Sequence, residues 1–382
     1  MKISIEATSK LGYKAAKEEL NLLSGRMAGM CYMKGDLQAL RNEPKEDTLK
    51  RAEKTKQRLH HSVFDHAYIS LALENVPKLF AMLLNNEKMY VTSEKSARYT
   101  KMILPKEEEE LYQKWYEKMK FLIIEHYGGS CKFFTPGKVD TLAQENARYF
   151  TSVMTPTNME YTVILRQLNY LCAWMKEFKN KDNSLYKMLA PYAEEFVDTI
   201  QKFGYLDEDL MKDGKNRDFS LVAKRARQEQ FGELYSVNYQ GSMAMLAQAQ
   251  RHRTLNYEIL LPEKNSFFVP KILLEYPNLV DEWLNDMEAV ENRIPQASLV
   301  NINESGKYEN LILKAKERLC SCAQLEVMLN TKETIEKIIT NTDNEFVKKD
   351  LEEINKGARC VSGFKCNTPC AFKEGIDLTR SI

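Results

Sequence analysis

Two short polar runs, one in each half of the chain, constrain the fold more than any other feature. Gln248-Ala249-Gln250-Arg251-His252-Arg253 sets two guanidiniums around an imidazole, with a glutamine three residues upstream. Ser93-Glu94-Lys95-Ser96-Ala97-Arg98-Tyr99 has a similar polar, anion-seeking character. A guanidinium is a permanently charged fork suited to phosphate, and a cluster of them is costly unless an anion or carboxylate answers it. The runs read as two ends of one signature, found in different halves of the chain.

The halves share a weak internal similarity. Val76 to Leu84 is an apolar helical stretch before Asn85-Asn86-Glu87-Lys88, and Met243 to Ala249 is another before Arg251-His252-Arg253. Duplication of one unit is the economical reading; chance likeness of two amphipathic helices is the alternative. The chain's 382 residues, 43% of them apolar, suit two such units, expected at residues 1–205 and 206–382. The polar stretch from Asp207-Glu208-Asp209 to Lys212-Asp213-Gly214-Lys215-Asn216-Arg217-Asp218 reads as a linker or exposed loop. A helical pattern follows around Leu221 to Phe231.

Alternation makes Met1 to Ser9 and Leu255 to Leu261 expected strands. Lys106 to His126 reads as an amphipathic helix through Leu111, Trp115, Met119 and Leu122, and Asn278 to Val290 through Leu279, Trp283 and Met287. Both stripes read as core. Glu107-Glu108-Glu109-Glu110 complements the dipole of its helix's first turn and needs no substrate.

The 55 basic and 54 acidic residues leave a net charge of +1, so there is no field for a nucleic acid polymer and any anion site is local. No apolar run reaches membrane-spanning length. The start reads as a strand and not a signal peptide, and the expected compartment is the cytosol. Thiols there stay reduced. The cysteines are Cys31, Cys131, Cys172, Cys320, Cys322, Cys360, Cys366 and Cys370. Neither the Cys320/Cys322 pair nor the Cys360/Cys366/Cys370 cluster shows a paired C-x-x-C, so no metal is expected, with structural zinc the alternative. There is no G-x-x-x-x-G-K-S/T, G-x-G-x-x-G or H-E-x-x-H.

His60-His61-Ser62-Val63-Phe64-Asp65-His66 resembles the H-x-S-x-F-E-H element of flavin-dependent thymidylate synthases, with Asp for Glu. That family's R-H-R, followed in register by N-E-x-S-x-R-Y, is divided here. The first half has Asn86-Glu87-Lys88 where R-H-R belongs, yet keeps Glu94-Lys95-Ser96-Ala97-Arg98-Tyr99. The second half keeps Gln248 and Arg251-His252-Arg253, then has Leu261-Pro262-Glu263 where S-x-R belongs. Arg318 followed by Ala323-Gln324-Leu325-Glu326-Val327 resembles the family's arginine and A-Q-W-E-I. Asn146-Ala147-Arg148 keeps the family's phosphate arginine, and Glu291 replaces it in the second half; Met175 stands where Arg318 would stand in the first.

The family builds each site across subunits of a homotetramer, and this implies how the split motif works. The first half would offer Glu94, Ser96, Ala97, Arg98 and Arg148, and the second Gln248, Arg251 and Arg318, making one complete composite site. By resemblance, His60, Arg251, His252 and Arg253 are candidate FAD contacts. Arg98, Arg251 and Arg148 would grip a nucleotide phosphate. Ser96, with the backbone around Ala97, would donate to it. Arg318 would face the uracil carbonyls and stabilise charge as the ring accepts a hydride. Arg318 and Ser96 are thus the expected catalytic residues.

The resemblance implies an α/β fold of two units with helices packed on mainly antiparallel sheet. It implies C5 methylation of dUMP or UMP with FAD, NADPH and methylenetetrahydrofolate, in a homodimer that mimics the tetramer. A different one-carbon addition, such as hydroxymethyl, or a non-catalytic nucleotide- or flavin-binding relative, is the alternative. Plainer readings also stand: Arg251–Arg253 as a solvated helix end, Arg148 as a surface arginine, Ser96 as a helix N-cap, His66 as an interior structural imidazole, and Gln324 and Glu326 as structural partners.

Overall fold

The computed structural model describes residues 1–9, 15–30, 37–98, 100–128, 134–212, 221–361, 370 and 378–382. Tyr99, Cys31, Cys131, Cys366 and the run 213–218 lie outside the described residues. The chain forms two compact units, and neither is continuous. One comprises Met1–Lys95 and Pro156–Phe219, the other Ser96–Thr155 and Ser220–Ile382.

The first unit holds a sheet of β1 (Lys2–Thr8), β2 (Tyr68–Pro77), β3 (Tyr90–Glu94) and β4 (Pro156–Ile164), ordered β1-β2-β4-β3 and antiparallel throughout. Buried and exposed positions alternate along β4, which is how a strand with one covered face reads. The helix Lys78–Leu84 follows β2, and Leu165–Met175 follows β4.

The second unit repeats that order. Its strands are β5 (Gln230–Phe231), β6 (Leu234–Ser242), β7 (Asn256–Leu260) and β8 (Leu299–Lys307), arranged β5-β6-β8-β7 and antiparallel. Met243–Ala249 follows β6 and Tyr308–Arg318 follows β8. Among the described residues no helix is long and apolar enough to cross a membrane.

The helical core of the second unit joins segments far apart in sequence. Trp115, Met119 and Leu122 on the helix Lys106–Tyr127 pack with Trp283 and Met287 on the helix Pro277–Ala289. Trp115 and Trp283 meet edge-to-face with centroids 4.8 Å apart, and each indole N–H has an acceptor, Asp286 at 2.7 Å and the Phe268 carbonyl at 2.9 Å. Both expected stripes are therefore core, with Leu111 and Leu279 at its margin.

Beside this core, Ser152 bridges Pro295 antiparallel. Val153 N–H donates to the Ile294 carbonyl at 2.9 Å, and Gln296 N–H to the Thr151 carbonyl at 2.8 Å. Ile294 holds a left-handed φ of 50°, which a β-branched residue rarely adopts.

Several expectations are corrected. Leu221 to Phe231 is not helical: Ile259 N–H donates to the Leu221 carbonyl and Ala223 N–H to the Ile259 carbonyl, so this stretch runs along β7 before forming β5. An exposed strand edge offers backbone partners that outweigh local helix preference. The described part of the polar stretch after residue 206 is no loose linker. Asp207 is buried, caps the helix Glu208–Met211, and accepts from Lys56 at 2.7 Å. Glu108 does more than complement a dipole, since it is buried and accepts Ser152 N–H at 3.1 Å and Arg293 at 3.3 Å. His66 is exposed; the interior imidazole is His61, between the Tyr170 hydroxyl at 3.1 Å and the Lys56 carbonyl at 3.2 Å.

Candidate active site

Within the second unit, the ends of local elements carry the polar residues of both motif halves. The helix Pro136–Ala147 starts with Thr135 as N-cap and Pro136 in the first turn, a favoured start. It ends at Arg148, which opens the short 3-10 turn Arg148–Phe150. The helix Met243–Ala249 is capped by Ser242, whose hydroxyl accepts Met245 N–H at 3.0 Å and donates to Glu326 at 2.6 Å. Gln248 sits in that helix's last turn, with Arg251-His252-Arg253 just beyond. Arg318 ends the helix Tyr308–Arg318.

Ser96 is not a helix cap. Its hydroxyl accepts Arg98 N–H at 3.4 Å and its carbonyl accepts Thr100 N–H at 3.1 Å, forming a turn. Gln144 steadies the turn by donating to the Ala97 carbonyl at 3.3 Å. The turn projects Arg98, whose Nε pairs with buried Glu145 and whose Nη2 donates to the Cys322 carbonyl at 3.1 Å.

Arg148 is buried, contrary to the surface reading. Its Nη2 donates to Gln324 Oε1 at 2.7 Å, while its Nε is buried with no partner among the described residues. Burial lowers its pKa, Glu145 opposes that shift and the charge of Arg98 adds to it. Gln324 is thus a structural partner, as is Glu326, which accepts from Ser242 N–H at 2.8 Å and the Tyr149 hydroxyl at 2.7 Å.

Arg318 Nε donates to His252 Nε2 at 2.7 Å, and its Nη2 reaches the Gln248 carbonyl at 3.5 Å. His252 must accept that bond neutral. Burial first, then the charges of Arg318 and Lys314, pull its pKa down to about 3. Burial, then the charge of Arg251, lowers Arg318 to about 10; Arg98 contributes in the same direction. Residues from positions 98, 251 and 318 therefore share one positive field. Gln248 is buried and its Oε1 has no partner among the described residues. Arg251 is exposed and makes no side-chain hydrogen bond or ion pair among the described residues, and Arg253 is also exposed. The helix-end reading of Arg251 is thus correct for its place and exposure.

The other two candidates belong to the first unit. Glu94 on β3 accepts from Lys78 and from Asn85, the latter at 3.3 Å. His60 is exposed and precedes the 3-10 turn His61–His66. The replaced positions are also clear: Met175 is buried at the end of its helix, and Glu291 opens the turn Glu291–Arg293 and accepts from Asn265.

Sequence reasoning missed Glu145 and Arg380. Glu145 lies three residues before Arg148 on a helix, a spacing that could have flagged it. Arg380 is buried, donates to the carbonyls of Ala323 and Ile382, and lies in the field of Arg98. Among the described residues no three His, Cys, Asp or Glu side chains are grouped as a metal site.

No curated protein sequence matches the chain. Thymidylate Synthase X (ThyX) from Helicobacter pylori, solved with FAD and dUMP, is similar at 16% identity and a TM-score of 0.34, over 56% of this chain and 99% of that one. The UMP/dUMP methylase PolB from Streptomyces cacaoi, bound with 5-Br dUMP, is similar at 12% identity and a TM-score of 0.31, over 54% of this chain and 96% of that one. The family model described as thymidylate synthase complementing protein matches residues 17–177. That segment thus matches the flavin-dependent thymidylate synthase family, the one that the chain's motifs resemble.

Proposed function

We propose that the chain is two diverged copies of a thymidylate synthase-like unit, residues 1–205 and 206–382, and that it methylates C5 of a uridine nucleotide, dUMP first, at one composite site. The matching strand orders of the two sheets support the duplication. The helices Leu165–Met175 and Tyr308–Arg318 support the residue alignment: each has 11 residues, follows a central strand, and ends on a position paired by sequence, Met175 with Arg318. Arg148 and Glu291 likewise each open a 3-10 turn. Ser152 and Pro295, which bridge each other, each lie 12 residues before the last residue of β4 (164 − 152) or β8 (307 − 295). A pseudo-two-fold relation between copies would give that self-pairing.

One observation carries the chemistry. Arg98 and Arg251 both bear on Arg318, while Gln248 Oε1 and Arg148 Nε are buried without partners among the described residues. Buried polar groups are normally satisfied, so two such atoms near these guanidiniums support a ligand there. A nucleotide phosphate would answer Arg98, Arg148 and Arg251, with Ser96 and the Ala97 backbone beside it. Gln248 and Arg318 would take the pyrimidine's polar edge, and Arg318 would stabilise negative charge on the ring. Glu94 would complete the motif.

The residues also fit a flavin dinucleotide: Arg251 and Arg253 are exposed cations suited to a pyrophosphate, and His252 is neutral, with His60 as a further contact. FAD would supply the redox chemistry, with NADPH and methylenetetrahydrofolate as co-substrates. A cytoplasmic homodimer would hold four copies of the unit.

The loss of motif residues at Asn86-Glu87-Lys88, Met175, Leu261-Pro262-Glu263 and Glu291 favours the second reading, a nucleotide- or flavin-binding relative that is non-catalytic or adds hydroxymethyl. Titrating the flavin-loaded protein with dUMP and UMP, then following tritium release from C5, separates them. Binding with tritium release supports the synthase; binding with tritium retained supports the non-catalytic relative. Product mass distinguishes methyl from hydroxymethyl. Failure to bind either nucleotide refutes the composite site.

A further inference from the structure

The turn that follows Arg318 carries two thiols that nucleotide binding does not require. Ala323 N–H donates to the Cys320 carbonyl at 3.0 Å, so residues 320–323 fold back on themselves. Cys322 N–H points at Cys320 Sγ, 3.5 Å away. Cys320 is buried and Cys322 is exposed. Two residues apart, the Cα atoms lie within about 7 Å by chain geometry, and the turn shortens this into the span a disulfide bridges.

The charges around Cys322 come from three separate segments: Lys138, Arg98 and Arg380, with Glu145 the nearby opposing carboxylate. The Cys320 thiol hydrogen bond, followed by those cations, pulls the Cys322 thiol down to about 6 against its desolvation. Electropositive, accessible surroundings of this kind mark reactive thiols. Cys370 Sγ lies 3.0 Å from Ser321 Oγ, so a third thiol is also at the turn. The Cys322 carbonyl accepts from Arg98 Nη2 at 3.1 Å, which ties the turn to the anion site.

We propose that Cys320 and Cys322 form a redox dithiol, in which Cys322 attacks a low-molecular-weight disulfide and Cys320 resolves the adduct, and that closing the bridge weakens Arg98's hold on an anion. The Cys322 thiolate forms a mixed disulfide and expels one thiolate. Cys320 then gives its proton to solvent and attacks Cys322 Sγ, breaking the mixed bond and expelling the second thiolate. Two electrons pass from the protein dithiol to the small disulfide, which leaves as two thiols. Bridge closure turns the 320–322 backbone, including the carbonyl that anchors Arg98. This last consequence rests on the nucleotide-site reading; the bridge itself does not.

The test uses the reduced full-length protein and glutathione disulfide near neutral pH, followed by intact mass and peptide mapping. The wild-type chain should lose two hydrogen masses, with the bridge mapped to Cys320–Cys322. Cys320→Ser should stop at a stable glutathione adduct on Cys322, and Cys370→Ser should behave as wild type. Near pH 6, Cys322 should react roughly tenfold faster than the exposed Cys360. A Cys322–Cys370 bridge, a trapped adduct in Cys370→Ser, or reaction at Cys322 no faster than at Cys360 would overturn the dithiol. The bridged protein should bind dUMP several-fold more weakly than the reduced protein, and equal affinity would overturn the link to Arg98. If neither form binds dUMP, the nucleotide reading fails, while the mass data still decide the dithiol.

Discussion

Arg251→Ala separates function from folding at this site. Arg251 is exposed and makes no side-chain hydrogen bond or ion pair among the described residues, so its loss should change stability by less than about 0.5 kcal/mol. Relief of its repulsion with Arg318 acts, if anything, in the stabilising direction. If Arg251 grips a phosphate, its removal deletes a charge-assisted hydrogen bond worth about 1.5–3 kcal/mol. Solvent exposure places the expected loss near 2 kcal/mol, or roughly 30-fold in dUMP affinity. Arg98→Ala should behave differently, because it also strips the partner from Glu145, a carboxylate whose side chain is only 4% exposed. It should lose comparable or greater affinity and also unfold more easily, by about 1–3 kcal/mol. Calorimetric titration with dUMP, paired with thermal unfolding of each variant, reads both quantities. Arg251→Ala that melts like wild type and binds dUMP within about twofold of it refutes the proposed phosphate grip.

Three further outcomes follow from the second unit. Lys314 and Glu304 form an ion pair at 2.6 Å with both side chains fully buried, and the carboxylate also accepts from Tyr235 and Tyr239, each at 2.8 Å. Lys314→Met should cost about 3–5 kcal/mol in urea unfolding, and adding Glu304→Gln should recover much of it; a cost below about 1 kcal/mol would show the carboxylate is not stranded. His252 has a folded pKa near 3, below its unfolded value of 6.5. As pH falls, the unfolded chain takes this proton first, so stability is full above about 6.5 and drops toward pH 3 by up to about 1.4 kcal/mol per unit. His252→Gln should flatten that limb of the stability profile, and an unchanged limb would assign it to other groups. Trp283→Ala should destabilise the protein by about 3–5 kcal/mol, since the indole packs against Trp115 and Phe150 with no exposure; a loss under about 1 kcal/mol would mean the core collapses around the gap.

Short-range patterns carried much of the architecture. The stripes through Trp115 and Trp283, the strands at Lys2–Thr8 and Asn256–Leu260, and the helix Met243–Ala249 were legible because each is specified by its own periodicity or composition. The residue types around Arg98 and Arg251 were legible too, because clustered guanidiniums call for an anion wherever they sit. Local sequence did not decide the Leu221–Phe231 stretch, where pairing with Ile259 prevailed over helical spacing. Nor did it decide that Arg148 would be buried against Gln324, that His61 and not His66 would be interior, or that Asp207 would cap a helix while holding Lys56. Each of those depends on partners dozens of residues away. Burial and hydrogen bonding are properties of where segments meet, so the chain alone specified which groups seek partners, and the tertiary structure decided which partners they found.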